Sequence, residues 1–419
     1  MISKDTLKKV ILEQRNQFKE TYTPRDQLVK LNEKSKSDLI VIISGIRRCG
    51  KSVLLNEFKK TQKENDYYLN FDDERLISFD VGDFERLYEV FIELFGVQKT
   101  FYFDEIQNIG NWELFIRRLN DYQNKIYITG SNASLLSKEL GTRLTGRHVQ
   151  LELFPASFKE YLVFNNFKLS KGDLHTRERI VEIKKLFDKY LINGGFFKYL
   201  KTKDKDFFKA LYDNIIYRDI VARYSLSYEK GLKDIFYYLL SNKSKPFSYA
   251  TLKKVSGISS TSTIADYISY LENSYLLFTI SLYDVSLKKQ LINPKKGYVI
   301  DTALASTISF QFSEDKGRLL ENVVFLELKR RRNEIYYHNV KYECDFIIKS
   351  GLKIIEAIQV CYDLNQENED REIKGLLDAI NTHNLKRGLI LTYDIKEERV
   401  INGKKILVMP IWDWLLESY

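Results

Sequence analysis

The chain has 419 residues, 44% hydrophobic and 29% charged, with a net charge of +9 at neutral pH. That length exceeds the ~250–300 residues at which a single core stops growing, so two or three domains are expected. The composition excludes a disordered chain, no apolar run approaches the ~20 residues of a membrane span, and the positive charge favours a polyanionic partner without requiring one.

Residues 1–37 read as a basic helical segment broken at Pro24. Leu39-Ile40-Val41-Ile42-Ile43-Ser44 is an apolar, β-branched run of the kind found in buried parallel strands. Gly45-Ile46-Arg47-Arg48-Cys49-Gly50-Lys51-Ser52 follows at once and fits the phosphate-loop pattern GxxxxGK[ST], and Val53 onward opens a helix. The pattern thus lies between a strand and a helix N-terminus, where backbone N–H groups and the helix dipole favour phosphate. Residues 45–53 are the expected nucleotide-binding set. Lys51 is placed to reach the β- and γ-phosphates, and the Ser52 hydroxyl to take a Mg²⁺ position.

Further strands are expected at 67–72, 100–104, 125–130 and 149–153, with helical patterns between them such as Trp112–Leu119. Such alternation implies a parallel sheet flanked by helices, with ligands beyond the carboxyl ends of its strands. Phe101-Tyr102-Phe103-Asp104-Glu105 is an apolar strand ending in two carboxylates. Asp104 suits Mg²⁺ alongside Ser52, and Glu105 suits a general base for the attacking water. Ser131 and Asn132, after the next strand, are candidates for sensing the γ-phosphate, and either serves equally as a helix N-cap. Arg143 and Arg147 are candidates for stabilising transition-state charge, in cis or on a neighbour's nucleotide, which would imply a homo-oligomer. An ordinary surface arginine is the alternative for each.

Residues 155–284 turn mainly helical, interrupted at Gly194-Gly195. Within them Phe247–Val255, a turn at Gly257 and Ser260–Leu271 have the order helix, turn, helix, and Lys288, Lys289, Lys295 and Lys296 follow as a candidate basic wing. DNA contact and plain packing are both open for such a module. Three cysteines (Cys49, Cys344, Cys361) form no CxxC pair and the four histidines are scattered, so a structural zinc site is not expected. The first residues lack a basic-then-apolar leader, and a cytoplasmic setting is expected.

The landmarks together resemble a family of bacterial and archaeal AAA-type ATPases whose C-terminal region is a domain of unknown function. They comprise the phosphate loop, Asn70-Phe71-Asp72-Asp73, Phe103-Asp104-Glu105-Ile106-Gln107, Ile128–Asn132, Leu153–Tyr161, Tyr190–Phe196 and Arg218-Asp219-Ile220-Val221. The resemblance implies a P-loop ATPase core over 38–154 after the helical segment 1–37. It further implies a helical region over 155–310 with a winged-helix-like part near 230–290, and a restriction-endonuclease-like α/β domain over 311–419. Glu321, Asp345 and the 356–361 strand are similar to the PD-(D/E)XK nuclease core. Gln359 and Cys361, however, stand where an acid and a lysine belong, and Glu356 has the wrong parity. A cleaving C-terminal domain is therefore not expected. The expected function is a Mg²⁺-dependent ATPase coupled to double-stranded DNA. The alternatives are a nucleotide-gated switch acting on a protein partner and, third, a DNA endonuclease.

Overall fold

Ile40, Val41, Ile42 and Ile43 have no exposed surface in the computed structural model, which describes residues 1–15, 22–131, 144–170, 172–204, 206–309 and 316–417. Side chains on both faces of their strand are covered, which is why the run is continuously apolar rather than alternating. Strands β1 (Ile40–Ser44), β2 (Tyr68–Asn70), β3 (Thr100–Asp104), β4 (Lys125–Gly130) and β5 (His148–Glu152) form a wholly parallel sheet in the order β2-β3-β4-β1-β5. Helices α1 (Lys4–Arg15), α2 (Gln27–Lys34), α3 (Lys51–Lys60), α4 (Asp83–Phe95) and α5 (Trp112–Asp121) accompany it.

The period of two in β3 sorts its aromatics onto two faces. Phe101 and Phe103 join a core with Phe71, Phe84 and Phe115, where the Phe84 and Phe115 rings stack at 4.4 Å. Tyr102 points the other way and stacks on Tyr127 at 5.2 Å. Helix α4 reaches the core through Phe84, Leu87, Val90 and Phe91, the i, i+3 spacing of one helical face. Helix α1 buries Leu7, Val10, Ile11 and Gln14. Gln14 brackets the edge strand β2, accepting from Asn70 N at 2.8 Å and donating to Asn70 O at 3.1 Å.

Two compact units result, one of Met1–Phe154 with Asn273–Tyr275, the other of Pro155–Glu272 with Leu276–Tyr419. The segment 1–37 belongs to the first unit. The main segment of the first unit ends at Phe154, and residue 310 lies within the span of the second.

The second unit opens with α6 (Phe158–Phe164), whose Ser157 and Glu160 form a capping box. Helix α7 (Arg177–Asn193) ends at Gly194, with φ +62. Two helices, α8 (Tyr249–Ser256) and α9 (Thr261–Asn273), are joined through Gly257 at φ +70. A small antiparallel sheet follows in the order β6-β8-β7, made of β6 (Pro246–Phe247), β7 (Leu277–Ser281) and β8 (Lys295–Val299). Next come α10 (Lys316–Arg330) and a six-stranded mixed sheet in the order β13-β14-β12-β11-β10-β9. Its strands are β9 (Glu334–Asn339), β10 (Glu343–Ser350), β11 (Lys353–Val360), β12 (Arg387–Thr392), β13 (Glu397–Ile401) and β14 (Lys404–Pro410), covered on one side by α11 (Glu369–Thr382).

Candidate functional site

The register of the parallel sheet gathers five strand ends at one edge. Asn70 pairs with Asp104, and Ser44 pairs with both Gly130 and Glu152. The phosphate loop leaves β1 at that edge and enters α3. Any side chain at its first glycine forces the loop to shift, because a Cβ on Gly45 would stand 2.1 Å from Leu153 O. Gly50 caps α3 at φ +103, a conformation L-residues rarely adopt. Arg25, which the sequence reading overlooked, donates to Cys49 O at 2.9 Å and Phe154 O at 2.6 Å and braces the loop from behind. Ile46 and Cys49 are buried, whereas Arg48 is exposed and Val53 partly so. Burial raises the Cys49 thiol pKa, so it packs as a neutral group.

Lys51 is 3% exposed, and its Nζ lies 3.2 Å from Glu105 Oε1 and 3.3 Å from Ile46 O. Burial alone lowers its pKa, yet Glu105, Cys49 and Asp104 raise it above its usual value. Glu105 sits at φ +51, a left-handed conformation that costs a non-glycine residue roughly 1–2 kcal/mol. Its other carboxylate oxygen accepts from Ser131 Oγ at 2.6 Å and from the Gln107 amide. Burial pushes Glu105 up, but Lys51, Ser131, Gln107 and Arg47 hold it down overall. Asp104 is fully buried; burial and the adjacent Glu105 raise its pKa, against the Thr129 and Ser52 hydroxyls and Lys51. Thr129 joins the two acids, donating to Asp104 Oδ1 and accepting from Glu105 N at 3.0 Å. Tyr68 donates to Asp104 Oδ2 at 3.1 Å.

Lys51, Ser52, Asp104, Glu105 and Ser131 therefore meet at one edge. Arg47 joins them, with Nη1 3.8 Å from Asp72 Oδ2 and its side chain 14% exposed. Arg147 does not: it precedes β5, pairs with Asp121, and its carbonyl accepts from Ile40 N at 2.9 Å. That is the opposite end of β1 from the phosphate loop, about 13 Å along the strand. Among the described residues of one chain, Arg47 lies beside Glu105 and Arg147 does not. Asn132 and Arg143 lie outside the described residues. Thr129, Gln107 and Arg25 are the site residues that sequence reasoning missed. For Thr129, the Thr-Gly-Ser at a strand end was a usable signal.

The oxygen donors Ser52 and Asp104 suit a hard cation such as Mg²⁺. The left-handed glycine cap and the buried lysine suit a polyphosphate. Residues 37–162 match the family described as AAA domain, and residues 184–315 match a domain of unknown function. An uncharacterized protein of Methanocaldococcus jannaschii, MJ1544, is 37% identical over 400 residues, covering 90% of this chain and 88% of that one. The chain belongs to its family. An uncharacterized protein of Haemophilus influenzae is 30% identical over 411 residues, covering 93% of this chain and 97% of its own. This AAA-domain protein is also similar to the solved ORC1 protein of Aeropyrum pernix in complex with DNA, at 12% identity and TM-score 0.30, covering 74% of this chain and 96% of that one. Against CDC6P of Pyrobaculum aerophilum the values are 12% and 0.28, over 77% and 98%. No described helix is long and apolar enough to cross a membrane.

Proposed function

We propose that this AAA-domain protein is a Mg²⁺-dependent ATPase whose nucleotide state is coupled to duplex DNA. The observation that carries the reading is the convergence of Lys51, Asp104, Glu105 and Ser131 on one sheet edge. In this reading the loop amides and Lys51 hold phosphates, while Ser52 and Asp104 hold Mg²⁺. The bound ion would screen charge between β- and γ-oxygens. Glu105 orients and deprotonates the attacking water, and Ser131 keeps its carboxylate aimed. Without nucleotide the Glu105 carboxylate is paired with Lys51, so phosphate binding has to draw Lys51 away before the base is free. Arg47, on the acid side of the loop, supplies positive charge where it develops on the phosphoryl oxygens.

The DNA part of the reading rests on α8, the Gly257 turn, α9 and the β7–β8 hairpin, which we take as a winged helix. Thr261 and Ser262 are exposed at the start of α9, Lys254 is exposed on α8, and Lys288 and Lys289 are exposed on the hairpin. Lys296, expected on the wing, is buried and cannot serve there. A second reading, a switch acting on a protein partner, is favoured by the same hairpin, because its connection exposes Val285, Leu287, Leu291 and Ile292. ATP hydrolysis with and without duplex DNA at low and moderate salt, with Glu105→Gln as the blank, tests the proposal. Stimulation that fades with salt supports DNA coupling. Hydrolysis indifferent to DNA moves the weight to the protein partner, and no hydrolysis above the blank removes the ATPase reading.

A further inference from the structure

The acids Glu321 on α10 and Asp345 on β10 do converge, but on a lysine from another part of the chain. Lys296 of β8 places Nζ 2.7 Å from Glu343 Oε1, 2.9 Å from Asp345 Oδ1 and 3.4 Å from Glu321 Oε1. The lysine side chain is 1% exposed, Asp345 9%, Glu321 11% and Glu343 39%. The remaining capacity of the cluster is largely engaged. Tyr298 donates to Glu321 Oε1 at 2.7 Å, and Val360 N to Asp345 Oδ2 at 3.0 Å. Gln359, at the place of a third acid, accepts from Asp345 N at 3.2 Å and donates to Glu372 at 2.6 Å.

We propose that the Lys296 ammonium is the resident cation of this acid cluster, occupying the point where a divalent ion would be gathered, so that the C-terminal sheet holds no metal and does not cut nucleic acid. A buried ammonium is tolerated only when paired and hydrogen-bonded, and here Asp345, Glu343 and Glu321 surround it, the last with its pKa pushed up to about 8 by burial and Asp345 against Lys296. A Mg²⁺ ion needs near-octahedral oxygen ligands at about 2.0–2.1 Å. The oxygens of Asp345 and Glu343 already have Nζ in that space. Entry of a metal would have to expel Lys296 into the protein interior without a counter-ion. The carboxylates raise the Lys296 pKa well above its usual value despite burial, so the cation is permanent at any physiological pH. The same contacts stitch β8 to α10 and β10 within one unit. The inference does not depend on the nucleotide reading of the first unit.

The test is Mn²⁺ titration of the full chain without nucleotide, followed by calorimetry and thermal unfolding, on wild type, Glu343→Gln, Lys296→Met and Lys296→Met/Asp345→Asn. Wild type and Glu343→Gln are expected to respond to Mn²⁺ identically. Lys296→Met is expected to gain a binding event at least tenfold tighter than any in wild type, with a raised unfolding midpoint, both lost in the double variant. A wild-type binding event weakened by Glu343→Gln overturns the proposal, as does a folded Lys296→Met that gains nothing. Should Lys296→Met not fold, the wild-type comparison with Glu343→Gln still decides, and Mg²⁺-dependent nicking of supercoiled DNA abolished by Asp345→Asn overturns it outright.

Discussion

Ser131 Oγ donates to Glu105 Oε2 at 2.6 Å, on the carboxylate whose other oxygen faces Lys51 Nζ at 3.2 Å. Glu105 and Lys51, the proposed base and the proposed phosphate-binding lysine, are thus held as an ion pair, and a hydroxyl from the neighbouring strand end fixes which oxygen is used for which partner. Removal of any one of the three groups should have a different kinetic signature.

Lys51→Ala should abolish ATP binding, read by equilibrium titration with a fluorescent nucleotide. Glu105→Gln should bind ATP normally and lose roughly 10²–10⁴-fold in turnover, the usual range for a positioned base. Normal turnover by Glu105→Gln would remove that residue from the role.

Thr129→Val tests the link between the acids. It leaves the Glu105 N–H, now satisfied at 3.0 Å, without its partner in a partly buried setting. A loss of about 1–3 kcal/mol is expected from an unsatisfied buried donor, measured by urea unfolding, together with slower hydrolysis at unchanged ATP affinity. Wild-type stability would show that the backbone finds another acceptor.

Gly45→Ala puts a Cβ 2.1 Å from Leu153 O. The loop must shift, and if its amides hold phosphate as proposed, nucleotide affinity should fall at least tenfold. Gly403→Ala, where nothing lies within 4 Å of the added Cβ but φ is +73, should leave affinity alone and separate the steric effect from general loss of stability.

His383 is expected to make stability depend on pH. Burial and the adjacent His338 push its pKa down to about 4 from 6.5, with Asp378 opposing, and its Nε2 lies 3.2 Å from His338 Nδ1. The unfolded chain therefore binds more protons than the folded one between about pH 6.5 and pH 4. Stability rises with pH across that window, so His383 carries no penalty above it and destabilises progressively as pH falls through it. His383→Gln should lose less stability than wild type between pH 7.5 and 4.5 in urea titrations. Parallel pH profiles would show that His383 is not the group responsible.

The features that depend on neighbours along the chain were legible without coordinates. The β-branched run before Gly45, the acids after Phe103 and the helix, glycine turn, helix near Gly257 are all encoded within about ten residues. Strand and helix periods are likewise local properties of the pleat and the helical turn. Parity within the 356–361 strand likewise sorted Gln359 and Cys361 from Glu356, whereas the grouping of Glu321 and Asp345 with that strand came only from the resemblance.

What only the tertiary structure decided involves pairings across long separations. Arg25 braces a carbonyl 129 residues away, and Lys296 reaches acids 25 and 49 residues away. The place of Arg147 within its own chain is of the same kind, and it bears on action in cis, not on a neighbour's nucleotide. Its nearness to the sensor segment in sequence says nothing about which end of a parallel strand it occupies, and the direction of β5 sends it to the end away from the nucleotide loop. A lysine reads as a solvated wing residue until the fold surrounds it with carboxylates, because the cost of burying its charge is met by partners that no local pattern announces.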